Sequence, residues 1–191
     1  MGRYASDNGG DFTPAPAGTH RAVCVELIDL GTQHGEYQGK PVARNQIIIR
    51  WELSDELMED GQPYLVSGFY TNSLSEKSKL RPLLESWRGR PFTEEELVKF
   101  DLQNILGAPC LISVVHKENR ARVAAASALP KGMERPQPRN PLKTFWIDAW
   151  DQAAFDALPE GFRKLIMRSD EYGALVSGGP SKPTDDDDIP F

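Results

Sequence analysis

Cysteine and histidine are scarce in this chain, and what there is of them is scattered. Cys24, Cys110, His20, His34 and His116 form no Cys-x-x-Cys or His-x-x-x-His pair, which argues against a metal site. Both cysteines lie in apolar, strand-like contexts and read as small buried hydrophobes of a reducing compartment. No apolar run approaches membrane-spanning length, and the first residues hold no signal-peptide core; a soluble protein with no membrane partner is expected. Catalytic signatures are missing too. There is no Gly-x-x-x-x-Gly-Lys loop, no Gly-x-Ser-x-Gly elbow and no His-Glu-x-x-His, so neither an enzyme nor a cofactor is expected. An aspartate run near the end could chelate a divalent ion weakly, but it lacks the enforced geometry of magnesium catalysis.

An excess of positive charge is also lacking. The net charge is −6, and setting aside the four aspartates at 185–188 leaves −2. Distribution then matters more than the total. Acidic residues gather at 52–60 and 94–96. Basic residues gather at Lys77, Lys79, Arg81, Arg88 and Arg90, and again between Lys117 and Lys143. Such segregation permits a basic groove on an acidic protein.

The chain divides by composition. Residues 1–18 are small and polar and read as a flexible arm. Strands are expected over 19–30, 41–53 and 62–72, with a glycine-bearing turn at 31–39 and an acidic loop at 54–61. Leu80, Leu83, Leu84 and Trp87 share one helical face with Pro82 inside it, so this helix either starts near Arg81 or is kinked. Thr93 and Glu96 make a capping box for a second short helix. Two more strands, 110–115 and 121–127, flank a turn at Glu118-Asn119. Three strands, a helical insert and a hairpin make the order of the OB-fold, a five-stranded Greek-key barrel. We therefore expect a mainly β, OB-fold-like barrel over 19–129. A Pro-rich linker follows at 130–141, then a short helical C-terminal appendage at 142–176 and a flexible acidic tail at 177–191.

The tail ends Asp185-Asp186-Asp187-Asp188-Ile189-Pro190-Phe191. A merely solubilising tail has no reason to expose apolar residues there. Phe191 offers a ring beside a carboxylate, which an apolar pocket with a basic rim could hold. The aspartates would steer the tip toward a basic partner. This ending resembles the C-terminal tip of bacterial single-stranded DNA-binding proteins. Gly107 to Pro130 (GAPCLISVVHKENRARVAAASALP) and Leu158 to Tyr172 are similar to small replication-associated proteins of tailed bacteriophages. Together the resemblances imply a phage-type single-stranded DNA-binding protein of the bacterial host cytoplasm. They imply a role in replication, recombination and repair, with partner enzymes recruited by residues 185–191. Where the bacterial proteins carry a long linker before the tip, this chain has a short one, so its reach is smaller. A homo-oligomer is left open.

Sequence-tolerant binding of single strands needs rings for bases and cations for phosphates. Candidate stackers are Tyr37, Tyr64, Phe69 and Tyr70; candidate phosphate contacts are Lys40, Arg44, Arg50, Lys77, Lys79, Lys117, Arg120 and Arg122. Trp51 shares a face with Ile47, Ile49 and Leu53 and reads as core, as does Trp87. Of His116 and Lys117 one should point outward. Two other readings share this pattern: a recombination mediator or annealing protein, and a phage structural or interaction protein with no DNA role.

Overall fold

The computed structural model describes residues 13–178. Residues 1–12 of the expected arm and the tip at 185–191 lie outside the described residues, while of the rest of the arm Ala15 is buried. The chain is mainly β. Its strands are β1 (Gly18–Tyr37), β2 (Lys40–Leu57), β3 (Pro63–Thr71), β4 (Pro109–Lys117), β5 (Arg120–Ser127) and β6 (Lys143–Phe145). Helices α1 (Leu80–Arg88) and α2 (Glu94–Val98) lie between β3 and β4; α3 (Gln152–Asp156), α4 (Glu160–Ile166) and α5 (Asp170–Val176) follow β6. The sheet runs β3-β2-β1-β4-β5, with β6 added to β1. Placing β4 beside β1 on the far side from β2 and β3 is the Greek-key order.

Two tight turns set this sheet. Gln38 and Gly39 have φ of 52° and 74°, and Glu118 and Asn119 have 53° and 59°. Two successive positive φ values make the turn whose twist matches antiparallel strands. In the second hairpin Lys117 stands opposite Arg120, His116 opposite Ala121 and Val115 opposite Arg122. A register shift between Ser113 and Val114 leaves Ala124 as the extra residue of a bulge.

Several expectations are corrected. The turn expected at 31–39 shrinks to two residues, because β1 continues through Gly31 to Tyr37. The acidic loop begins only after Leu57, since Asp55 is held by Arg21 of β1 at 2.6 and 2.7 Å. For α1 the start near Arg81, one of the two expected alternatives, is the one found, since the helix begins at Leu80. Pro82 is the third residue of that helix, where its missing N–H has no intrahelical partner to lose. The five-stranded barrel is also revised. Among the described residues there are six strands, the sixth being residues 143–145. No β3–β5 pairing occurs among the described residues, so the sheet is open.

The chain forms two compact units. Of the described residues, one takes 13–25, Arg50–Gly68 and Pro82–Leu142; the other takes Glu26–Ile49, Phe69–Arg81 and 143–178. In the first unit Trp51 and Trp87 pack with ring centroids 5.8 Å apart, both buried as the spacing predicts. The indole of Trp87 donates to the Pro109 carbonyl at 3.0 Å. Cys24 and Cys110 are buried free thiols. Burial pushes the Cys110 pKa well up, Cys24 adds to the rise, and a hydrogen bond from Trp51 opposes it, which keeps the thiol neutral and inert.

Glu52 is the unexpected element here. It is fully buried although it opens an acidic stretch. Its carboxylate accepts from the Arg139 and Asn140 backbone N–H groups at 2.8 and 2.7 Å, and from Asn140 Nδ2 at 2.8 Å. Residues 139–140, expected to be linker, are therefore pinned to β2. A buried charge needs such partners, and the partners in turn need the charge.

In the second unit β6 pairs in parallel with β1, Glu26 to Ile28 against Lys143 to Phe145. This pairing delivers Phe145 and Ile147 to a core made with Ile28, Leu30, Ile48, Phe155, Leu158 and Ile166. The helices that cover it are short and depend on caps. Asp151 accepts from Ala154 N–H, and Ser169 from Tyr172 N–H. Gly31 stands at φ +66°, where a Cβ would meet Glu171 Oε2 at 2.5 Å and Ser169 Cβ at 2.7 Å.

The Glu52 clamp and the Gly31 backbone both bear on stability. Glu52→Ala strands three donors, and we expect a loss of about 3 kcal/mol in urea unfolding, with Glu52→Gln recovering part of it. An unchanged midpoint for the alanine variant would contradict the clamp. Gly31→Ala combines a strained backbone with a clash; thermal melting should show a cost of about 2 kcal/mol or more. A melting temperature equal to that of the unaltered protein would refute this.

Candidate nucleic-acid interface

In the first unit the β4–β5 hairpin carries Lys117, Arg120 and Arg122. Opposed and alternate positions share a face, so these three cations and the exposed Val115 lie on one side of the hairpin. Like charges directly opposite one another are destabilising. None of the three has an acidic partner among the described residues. The neighbouring His116 is tied back, its Nε2 lying 2.8 Å from the Ala15 carbonyl oxygen. Lys117 is thus the free side chain of that pair. Sequence reasoning missed Val115, although its alternation with Lys117 places it on the same face.

Arg50 and Tyr64 also belong to the first unit. Both are half-buried, and Arg50 Nε is shielded from solvent. They are less available to a ligand than the hairpin cations.

In the second unit the β1–β2 hairpin carries Tyr37, Lys40 and Arg44, all exposed. The Arg44 guanidinium lies over the Tyr37 ring, 5.4 Å from its centroid, while Tyr37 remains 56% exposed. Ring and cation are therefore presented together. Two carboxylates hold the root of this hairpin. Glu171 accepts from Thr32 N–H and Oγ1 at 2.6 and 2.7 Å. Asp29 accepts from Gly31 N–H at 2.8 Å and Ile147 N–H at 3.3 Å. Burial raises the Asp29 pKa against those hydrogen bonds. For Glu171 burial also pushes upward, but the Thr32 hydrogen bonds outweigh it and the pKa ends below the usual range. Neither anchor was legible as such, because Thr32 lies 139 positions from Glu171 and Ile147 lies 118 from Asp29.

Phe69 and Tyr70 end β3 in the same unit. Phe69 is 50% exposed and meets Phe162 edge-on, with centroids 6.1 Å apart. Tyr70 is half-buried. Lys77 and Lys79 are exposed on the segment leading into α1. Residues 185–191, assigned to partner docking, lie outside the described residues.

Of the twelve candidates three fall on each of two hairpins, one hairpin in each unit; Arg50, Tyr64, Phe69 and Tyr70 lie on β2 and β3, and Lys77 and Lys79 precede α1. Among the described residues no group of His, Cys, Asp or Glu could hold a metal ion, and no helix is long and apolar enough to cross a membrane. No family model matches the chain, and no curated protein matches it either.

The Glu171 anchor has a pH signature. A carboxylate whose pKa is depressed on folding adds stability above its unfolded value, 4.5, and loses it as the pH falls through the lower folded value. Glu171→Gln should lower the melting temperature at neutral pH and flatten its decline below about pH 4.5. An acid limb as steep as in the unaltered protein would rule the anchor out.

Proposed function

We propose that this protein binds single-stranded DNA without strong sequence preference, and that residues 185–191 recruit replication or repair enzymes to it. The observation that carries the reading is the cationic face of the β4–β5 hairpin. Three cations held on one face without counter-charges among the described residues cost folding energy and fit a polyanion. The second support is the Tyr37–Arg44 pair. A half-open ring beside a cation matches the needs of sequence-tolerant base stacking and phosphate contact.

The fold supports this by analogy. We take the open Greek-key sheet as the wall of an OB-like barrel. In OB-folds the loop between the first two strands, the loop between the last two and the face of strands two and three bind oligonucleotides. Tyr37, Lys40 and Arg44 flank the first loop, and Lys117, Arg120 and Arg122 flank the other. Arg50, Tyr64, Phe69 and Tyr70 belong to β2 and β3. Fold analogy alone would not carry the function; the clustered hairpin cations do. The recruiting role of residues 185–191 rests on their sequence and on the tip they resemble.

The test is anisotropy of a labelled oligo-dT over a range of salt. Removing one phosphate-binding cation should reduce the log–log slope by about 0.7, so the Lys117→Ala/Arg120→Ala pair should flatten it by about 1.4. Tyr37→Ala should weaken binding by about 1–3 kcal/mol while leaving the slope nearly unchanged. Failure of the unaltered protein to bind oligo-dT at about 20 mM salt would overturn the reading.

A further inference from the structure

The first unit contains a cavity of about 660 Å³ that the nucleic-acid reading does not use. Trp87, Phe100, Ile105 and Met133 give it an apolar lining. Its charged lining is Arg88, Arg90, Lys131 and Arg135 against the single carboxylate of Glu96. Four cations less one carboxylate leave three positive charges around an apolar floor. That pairing suits a ligand with both an apolar and an anionic part.

The two arginines of this wall share Glu96 unequally. Arg90 forks onto it at 2.8 and 3.0 Å. Arg88 bonds it through Nη2 alone and lies over the Phe92 and Phe100 rings, 4.3 and 5.4 Å from their centroids. Its Nη1 is buried with no hydrogen-bond partner among the described residues. A buried guanidinium N–H left unpaired is costly, and an anionic acceptor in the cavity would relieve it. Lys131 and Arg135 are exposed and also lack an acidic partner among the described residues.

One segment of this chain has the complementary chemistry: four aspartates at 185–188 followed by Ile189, Pro190 and Phe191. We propose that this cavity receives residues 185–191 of a second copy of the chain. The apolar end packs on Phe100 and Met133, and the aspartates meet Arg88, Lys131 and Arg135. A segment of one copy seated on a different surface of the next is a heterologous contact, which builds open arrays unless it closes into a ring. The inference rests on residues 185–191 being a docking segment, and not on nucleic acid being bound.

The experiment uses the full chain carrying Phe191→Asp, which silences its own tip. A fluorescein-labelled peptide of residues 179–191 is titrated into it without nucleic acid. We expect saturable binding, weakened roughly tenfold by Lys131→Glu with Arg135→Glu, by Phe191→Ala in the peptide, and by about 0.5 M salt. Both charge reversals fall on exposed side chains, so folding should be preserved. An absence of binding, or binding indifferent to the charge reversals, overturns the proposal. It falls equally if oligo-dT, and not the peptide, occupies the cavity in a charge-dependent way. A separate failure to bind oligo-dT at all would defeat the previous reading and leave this one standing.

Discussion

Backbone pairing along β1 is the constraint on which the rest depends. This strand runs twenty residues and is buried or half-buried from His20 to Gln33, so its amide groups there cannot turn to water. On the side away from β2 no single neighbour serves it. Gly18 to Val23 pair with β4, and Cys24 closes that stretch through Ala108 O and Gly107 N–H at 3.2 and 2.7 Å. From Glu26 the partner becomes β6. The hand-over explains why the chain returns at 143–145 after the Pro-rich segment, and why Glu52 pins residues 139 and 140 just before it.

Electrostatics follow from the same economy of backbone groups. A chain of net charge −6 presents cationic hairpins because several carboxylates are engaged elsewhere. Glu52, Asp29 and Glu171 accept backbone N–H groups, not side-chain cations. Each satisfies a loop or strand end and neutralises no lysine or arginine. Lys117, Arg120 and Arg122 face outward with no acidic partner among the described residues. Total charge is a poor guide to such a surface, and the positions of the acids that bind backbone are a better one.

Much of this was legible from residue type and spacing. The alternation in β2, the turns at Glu118-Asn119 and Gly39, the capping box of Thr93 and Glu96, and the burial of Trp51 and Trp87 all follow from local rules. Three features were not. The burial of Glu52 is invisible because it adjoins solvated acids and its partners lie 87 and 88 residues away. Lys143 to Phe145 is too short to carry a period, so the sixth strand could not be seen. Helix α5 has no buried residue and little periodicity; it is positioned by Glu171 and Ser169, whose contacts are tertiary or capping. Of the candidate site, exposure of the hairpin cations was readable from turn chemistry, while the accessibility of Arg50, Tyr64 and Tyr70 depended on packing.

The parallel β1–β6 pair carries a kinetic consequence. Bringing Glu26 to Lys143 closes a loop of 117 positions (143 − 26), against 86 for Val23 to Pro109 (109 − 23). Closure entropy rises by only about 0.6 kcal/mol per doubling, so the longer loop is barely penalised at equilibrium. Speed is another matter, because distant pairings slow folding. The two hairpins zip locally, whereas β6 must wait for the intervening hundred residues to settle. During chain synthesis, the hairpin edges exist before the strand that completes β1 has left the ribosome.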